Sequence, residues 1–260
     1  MAEPSCSYDD IVDGLRTLGV VAGAVVEVHS SLSAFGHVEG GASTIINALT
    51  DVVTPDGTIV MSAYRVSRPV PLTAEDRARG VTWKVRKLPL DSPEPSGMGV
   101  VADTFRSRAD VFCGSDIHRT AAWGRDARWH CNGYDGLLAV DGTSLLLGVG
   151  LDRCSSMHVA DHVSVPETIS AYWAAPTDVK AAYDPHVWDV GYGETPDDAW
   201  EKVWRQADAD GLIRHEQIGA AACHSFRARS VVGIYMKWRE TDPYGLYGVP
   251  RPAGPVGEKR

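Results

Sequence analysis

The stretch AVVEVHSSLSAFGHVEGGASTIINALTDVVTPDGTIVMSA, residues 24–63, decides the fold class. Residues 24–28 are rich in valine and read as a strand. Residues 29–41 form a loop that ends in Gly40 and Gly41. Residues 42–53 then carry Ile45, Ile46 and Leu49 at helical spacing, so this segment reads as a helix with those side chains inward. Pro55-Asp56-Gly57 turns the chain into an apolar run at 58–63. A strand, a helix and a strand in that order imply a parallel pair joined by a crossover helix, and hence an α/β fold.

Working outward, Ser7 can cap a helix over 8–18, with Ile11, Leu15 and Leu18 on one face and Gly19 as its stop. Residues 66–95 have many prolines and charges and no period, which reads as an excursion over the surface. Residues 99–106 look helical, and 139–147 suggest a hairpin-like pair around Asp141-Gly142. Leu145–Leu147 reads as a buried strand broken by Gly148 and Gly150, after which Ser155 or Ser156 can cap a helix opening near Met157. A helix is expected over 195–209 with Pro196 in its first turn, and a strand entering a final helix over 214–238. Pro243 and a polar tail to Arg260 follow. With neither repeats nor low-complexity segments, the expectation is one domain spanning 1–260, a mixed sheet flanked by helices.

The chain has 260 residues, 44% of them hydrophobic and 23% charged, an ordinary soluble composition. A net charge of −9 argues against a nucleic-acid surface and suits a cationic substrate. Cys6, Cys113, Cys131, Cys154 and Cys223 are odd in number and contain no C-x-x-C pair, so neither a disulfide framework nor a zinc knuckle is expected. The first ten residues lack the pattern of a signal peptide, and no apolar run approaches the roughly 18 residues of a membrane span. A cytoplasmic monomer or homodimer, with neither nucleic acid nor membrane as partner, is the expectation.

Three segments could carry chemistry. In the loop after the first strand, Gly40 and Gly41 let backbone approach a ligand, and the amides opening the next helix suit an anion such as a pyrophosphate. On a helix, His158 faces Asp161, a carboxylate that can fix the imidazole tautomer and support its protonated form. A rival use of the same segment is a zinc hydrolase, because His158 and His162 are four apart in a pattern similar to H-x-x-E-H with Asp in place of Glu. The third segment, 116–124, places His118 among residues that otherwise suit a core. Charge is also uneven: 65–87 has seven bases against two acids, whereas 178–210 has nine acids against three bases. Such runs can be solvated faces, or opposite walls of a cleft joining an anionic cofactor to a cationic substrate.

Taken in order, Val28–Gly36, Gly40–Ala42, Gly57–Met61, Met98–Arg106, His118–Gly124, Leu146–Asp161 and 214–243 resemble blocks of the aminoglycoside 3-N-acetyltransferase family. These antibiotic acetyltransferases do not have the common acetyltransferase fold. The resemblance implies acetyl-coenzyme A as donor, no metal, and a cationic amine such as an aminoglycoside as acceptor, with another amine as the nearest alternative. It also implies that Ser30, Ser31, Leu32, Ser33, Phe35, Gly36, Val38, Gly40, Gly41 and Ala42 bind the donor. His158 would be the general base and Asp161 its orienting acid, at a position the family fills with glutamate. Ser155, matching a family threonine, would face the oxyanion. Asp103, Tyr64 and His118 are the candidate acceptor contacts.

Overall fold

The computed structural model describes residues 5–252, so Met1–Pro4 and the polar tail beyond 252 lie outside the described residues. Its strands are β1 (Ser5–Cys6), β2 (Val25–Ser30), β3 (His37–Val38), β4 (Thr58–Ser62), β5 (Val81–Arg86), β6 (Phe112–Cys113), β7 (Thr120–Gly124), β8 (Thr143–Leu147), β9 (Trp188–Tyr192), β10 (Arg214–Ile218) and β11 (Ala221–Arg227). Seven form one sheet in the order β10-β11-β8-β2-β4-β7-β6. The central trio β8, β2 and β4 is parallel, and antiparallel strands complete both edges. The expected mixed sheet, and the crossover from β2 to β4 through the helix Ala42–Val53, are therefore present.

Helices cover both faces, which is why the central strands are mostly apolar on both; Glu27 and His29 in β2 and Ser144 in β8 are buried exceptions. Leu145 and Leu147 enter one core with Ile45, Leu49 and Ile11, while Leu146 enters another with Val203, Phe226 and Val232. Side chains alternating across the sheet thus bind two helix layers to one strand. The helix Tyr8–Thr17 begins as expected: Ser7 accepts the Asp10 amide, and the Asp10 carboxylate accepts the Ser7 amide.

The structure corrects five expectations. The excursion 66–95 contains a helix, Ala74–Ala78, and β5, which pairs with the distant β9. Around Asp141-Gly142 there is no hairpin: Asp135–Ala139 is helical, and the Gly142 amide donates to the Leu137 carbonyl at 2.8 Å, so the turn closes a helix. Neither Ser155 nor Ser156 caps an α-helix, since Ser155–His162 is a 3₁₀ segment preceded by Cys154. The helix expected at 195 starts at Ala199, because Asp198 accepts the amides of Trp200 and Glu201 and leaves Pro196 outside. The strand near 214 is a hairpin, β10–β11, whose second arm runs into the helix Ala228–Thr241.

Candidate active site

The parallel strands β2, β4 and β8 end together, and a cavity of about 1020 Å³ opens beyond their carboxyl ends. Crevices form there in α/β sheets because each strand hands over to a loop on that side. Ser30 ends β2 and Ser31–Ser33 follow it, Ser62 ends β4 and Tyr64 follows it, and Gly148–Gly150 follow β8; all line the cavity. Gly148 has φ 72°, and a Cβ there would lie 2.4 Å from the Ala34 Cβ, so only glycine fits.

Of the loop residues expected to bind a donor, Ser30, Ser31, Leu32, Ser33, Gly36 and Val38 line this cavity. Phe35 does not; it is fully buried in the core. Gly40, Gly41 and Ala42 also stand outside the lining. The two glycines have φ 77° and 60°, and their freedom turns the chain into the helix that begins at Ala42. The wall carries Arg68 and Arg153 against one carboxylate, Asp152.

At the base of the cavity lies a pair not anticipated from sequence. Glu27 is fully buried and its Oε1 lies 2.6 Å from His29 Nε2. Glu27 Oε2 accepts from Ser144 Oγ at 2.7 Å, and Oε1 accepts from the Ser156 amide at 3.0 Å. Burial pushes this carboxyl up, but His29 and the hydrogen bonds of Ser144 and Ser156 together hold it below its ordinary value. A signal was present: a carboxylate set between valines in a buried strand needs partners elsewhere. Beside the pair, Ser62 Oγ lies 2.7 Å from Tyr134 Oη and 2.9 Å from Ser155 Oγ, a chain of hydroxyls ending at the cavity.

The 3₁₀ segment Ser155–His162 changes the geometry read from sequence. Residues three apart eclipse in a 3₁₀ helix, so Ser155, His158 and Asp161 fall in one row. His158 Nδ1 lies 3.0 Å from Asp161 Oδ2, as the spacing implied. Ser155 lines the first cavity, whereas His158 and Asp161 line a second cavity of about 700 Å³. Sequence reasoning missed Arg239, a buried residue whose Nη1 donates to Asp161 Oδ1 at 2.7 Å and whose Nε donates to the Val163 carbonyl at 2.9 Å. Burial pushes the Asp161 carboxyl up, but His158 and Arg239 together hold it below its ordinary value. Trp200 stands edge-on to the His158 ring at 5.1 Å.

The second cavity is acidic. Glu194, Asp197 and Asp198 join Asp161 in its lining, with Arg239 as the opposing charge. The acid-rich 178–210 run therefore contributes part of a wall, and the base-rich 65–87 run contributes Arg68 to the other cavity. Asp103 lines neither: its carboxylate accepts Arg106 Nε at 2.8 Å and the Ser96 amide at 2.9 Å. His118 is exposed and lies beside Asp189 at 3.8 Å, with its ring edge-on to Tyr64 at 5.0 Å. Only Tyr64 of the three expected acceptor contacts lines a large cavity, and it is the first.

Among the described residues, a cluster of three candidate metal ligands forms at Glu27, His29 and Cys154, and not around His158 and His162. His162 Nδ1 donates to its own segment, at the Val159 carbonyl. The donor set at Glu27 is already engaged by four hydrogen bonds, one of them from the Cys154 thiol, and burial pushes that thiol well up, which keeps it protonated.

A sequence model of the family described as aminoglycoside 3-N-acetyltransferase matches residues 28–240. The SPbeta prophage-derived aminoglycoside N(3')-acetyltransferase-like protein YokD of Bacillus subtilis (strain 168) is 29% identical over 249 residues, covering 88% of this chain and 90% of that protein. The aminoglycoside acetyltransferase AAC(3)-IVa, solved as apoenzyme, shares the fold with a TM-score of 0.71 at 23% identity, over 94% of this chain and 91% of that one. AAC-IIIb, solved as a binary complex with CoASH, gives a TM-score of 0.65 at 22% identity, over 95% of this chain and 100% of that one.

Proposed function

The chain belongs to the aminoglycoside 3-N-acetyltransferase family, and on that premise we propose that it transfers the acetyl group of acetyl-coenzyme A to the 3-amino group of an aminoglycoside, conferring resistance. The observation that carries this reading is a pair of cavities of opposite charge, joined by one 3₁₀ row. The first cavity, with Arg68 and Arg153, suits an anionic donor; a relative solved with CoASH supports that use. The second, with four carboxylates, suits a polyamine.

The chemistry follows from the row. An aliphatic ammonium must lose a proton before its nitrogen can attack a thioester. His158 takes that proton, oriented by Asp161, which Arg239 holds in turn; general base catalysis of this kind gives roughly 10²–10⁴-fold. His158 passes that proton to solvent, the C–N bond forms while the carbonyl oxygen gains charge near the Ser155 hydroxyl, His158 takes the second proton from the nitrogen, and the C–S bond breaks to release coenzyme A. Holding donor and amine at about 3–3.5 Å supplies much of the remaining acceleration. No covalent acyl-enzyme is needed, and Cys154, the cysteine nearest this row, is kept a thiol by burial.

The protein acts as one domain in this reading. Its five cysteines are all unpaired, which supports a reducing cytoplasm. No helix among the described residues is long and apolar enough to cross a membrane.

The test is thiol release from acetyl-coenzyme A across kanamycin- and gentamicin-type acceptors. Stoichiometric release with a mono-acetylated product at the 3-amino group is expected. Release with neutral amines alone would remove the aminoglycoside and leave the acyl transfer.

A further inference from the structure

We propose that Glu27 and His29 form a second proton-transfer dyad, in which His29 protonates the sulfur of the departing coenzyme A while Glu27 positions its ring. This rests on the acyl-transfer reading above.

The tautomer follows from the partners. An ionised carboxylate only accepts, so the 2.6 Å contact to Glu27 Oε1 puts the proton on His29 Nε2. The Ser155 N–H also points at Nε2, from 3.2 Å, and with the proton on that nitrogen it makes no hydrogen bond there. Nδ1 has no hydrogen-bond partner among the described residues, and His29 lines the donor cavity. A buried acid thus orients an imidazole that lines the space where a thioester would lie, with its other nitrogen unpartnered. That is the arrangement of an acid–base catalyst, and its burial exceeds that of the His158–Asp161 pair.

The positions of the two dyads fit a division of labour. His29 adjoins Ser155, the first residue of the 3₁₀ row, and His158 stands one turn further on, about 6 Å along the axis. A carbonyl held between them would have its nitrogen side toward His158 and its sulfur side toward His29. The proton balance closes. The ammonium loses one proton through His158 to solvent, the C–N bond forms, the nitrogen gives its second proton to His158, the C–S bond breaks, and protonated His29 supplies the proton that turns thiolate into thiol, with one proton released overall. His29 then recovers a proton from solvent, and His158 returns one. The other titratable groups around His29 are poor donors, since burial pushes up Tyr64, Tyr134 and Cys154 and keeps their protons bound.

Leaving-group dependence tests this. The purified full chain is assayed with one aminoglycoside and two donors: acetyl-coenzyme A, and an S-acetyl aryl thiol whose thiolate leaves without protonation. In His29→Gln and Glu27→Gln, turnover of acetyl-coenzyme A should fall at least tenfold, whereas turnover of the aryl thioester should stay within about threefold. Far-ultraviolet circular dichroism matching wild type separates the effect from a lost fold, and the ratio of the two donors' turnovers is the readout. Equal losses on both donors, or none on acetyl-coenzyme A, overturn the dyad and leave the acetyltransferase standing. Stoichiometric zinc that is lost in Glu27→Gln also overturns it, in favour of a metal site. A wild-type chain that turns over neither donor removes the acyl-transfer reading and the dyad together.

Discussion

His158 depends on a three-residue period. In an α-helix His158 and Asp161 would share a face, but Ser155 would drift from their line by about 60° on each three-residue step. In the 3₁₀ segment all three eclipse, so a hydroxyl, an imidazole and a carboxylate stand in one row across two cavities. The Asp161 carboxylate is a short arm, and Arg239 fixes it from behind at 2.7 Å. His158→Ala should therefore lower kcat at neutral pH by at least two orders of magnitude while the calorimetric Kd for coenzyme A stays nearly the same. A variant within threefold of wild type in kcat would reassign the base. The His158–Asp161 pairing was legible from spacing alone, because local geometry fixes residues three apart. Arg239 was not, since it reaches Asp161 from 78 residues away.

At the scale of elements, β5 and β9 form a separate two-stranded sheet, and the helix Ala74–Ala78 leads into it. Prolines and charges hid this from sequence, since charges that pair across a fold have no period. Asp76 is nearly buried, accepts Lys84 Nζ at 2.7 Å and Tyr183 Oη at 2.6 Å, and caps its own helix through Thr73. Lys84, Tyr183 and Thr73 hold the Asp76 carboxyl well below its usual range, and burial with the Asp76 bond pushes Tyr183 up to about 12. A carboxyl lowered in the folded state contributes stability above its unfolded value of about 3.9, and loses it as pH falls through the folded value. Lys84→Met leaves a buried charge without its partner, a defect that costs about 3–5 kcal/mol when nothing compensates. Differential scanning should show a lowered Tm for Asp76→Asn and Lys84→Met at pH 7, with the Asp76→Asn deficit narrowing below about pH 4. A deficit independent of pH would mean that packing, and not charge, holds this sheet to the body.

Across the whole molecule, the net charge of −9 divides unevenly, with Arg68 and Arg153 at one cavity and Glu194, Asp197 and Asp198 at the other. Asp197→Asn combined with Glu194→Gln should raise acceptor KM several-fold and leave donor Kd in place, and Arg68→Ala should do the reverse. Salt should raise acceptor KM less in the double variant than in wild type, because fewer charges remain to be screened. Parallel salt slopes for the two proteins would exclude these carboxylates from acceptor binding. The amino-acid sequence by itself determined the local units: the capped helix at Ser7, the strand–helix–strand of residues 24–63, and the pairing of His158 with Asp161. Each follows from hydrophobic period, cap chemistry or i,i+3 spacing, all written within a few residues of chain. Only the tertiary structure decided that β8 lies between β2 and β11, and therefore that Ser155 meets His29 across 126 residues. Strand order is set by how two helix layers cover a mixed sheet, and no short window carries that information. The location of Glu194, Asp197 and Asp198 opposite His158 was settled in the same way, by packing of the helix Ala199–Ala209 against Ala228–Thr241.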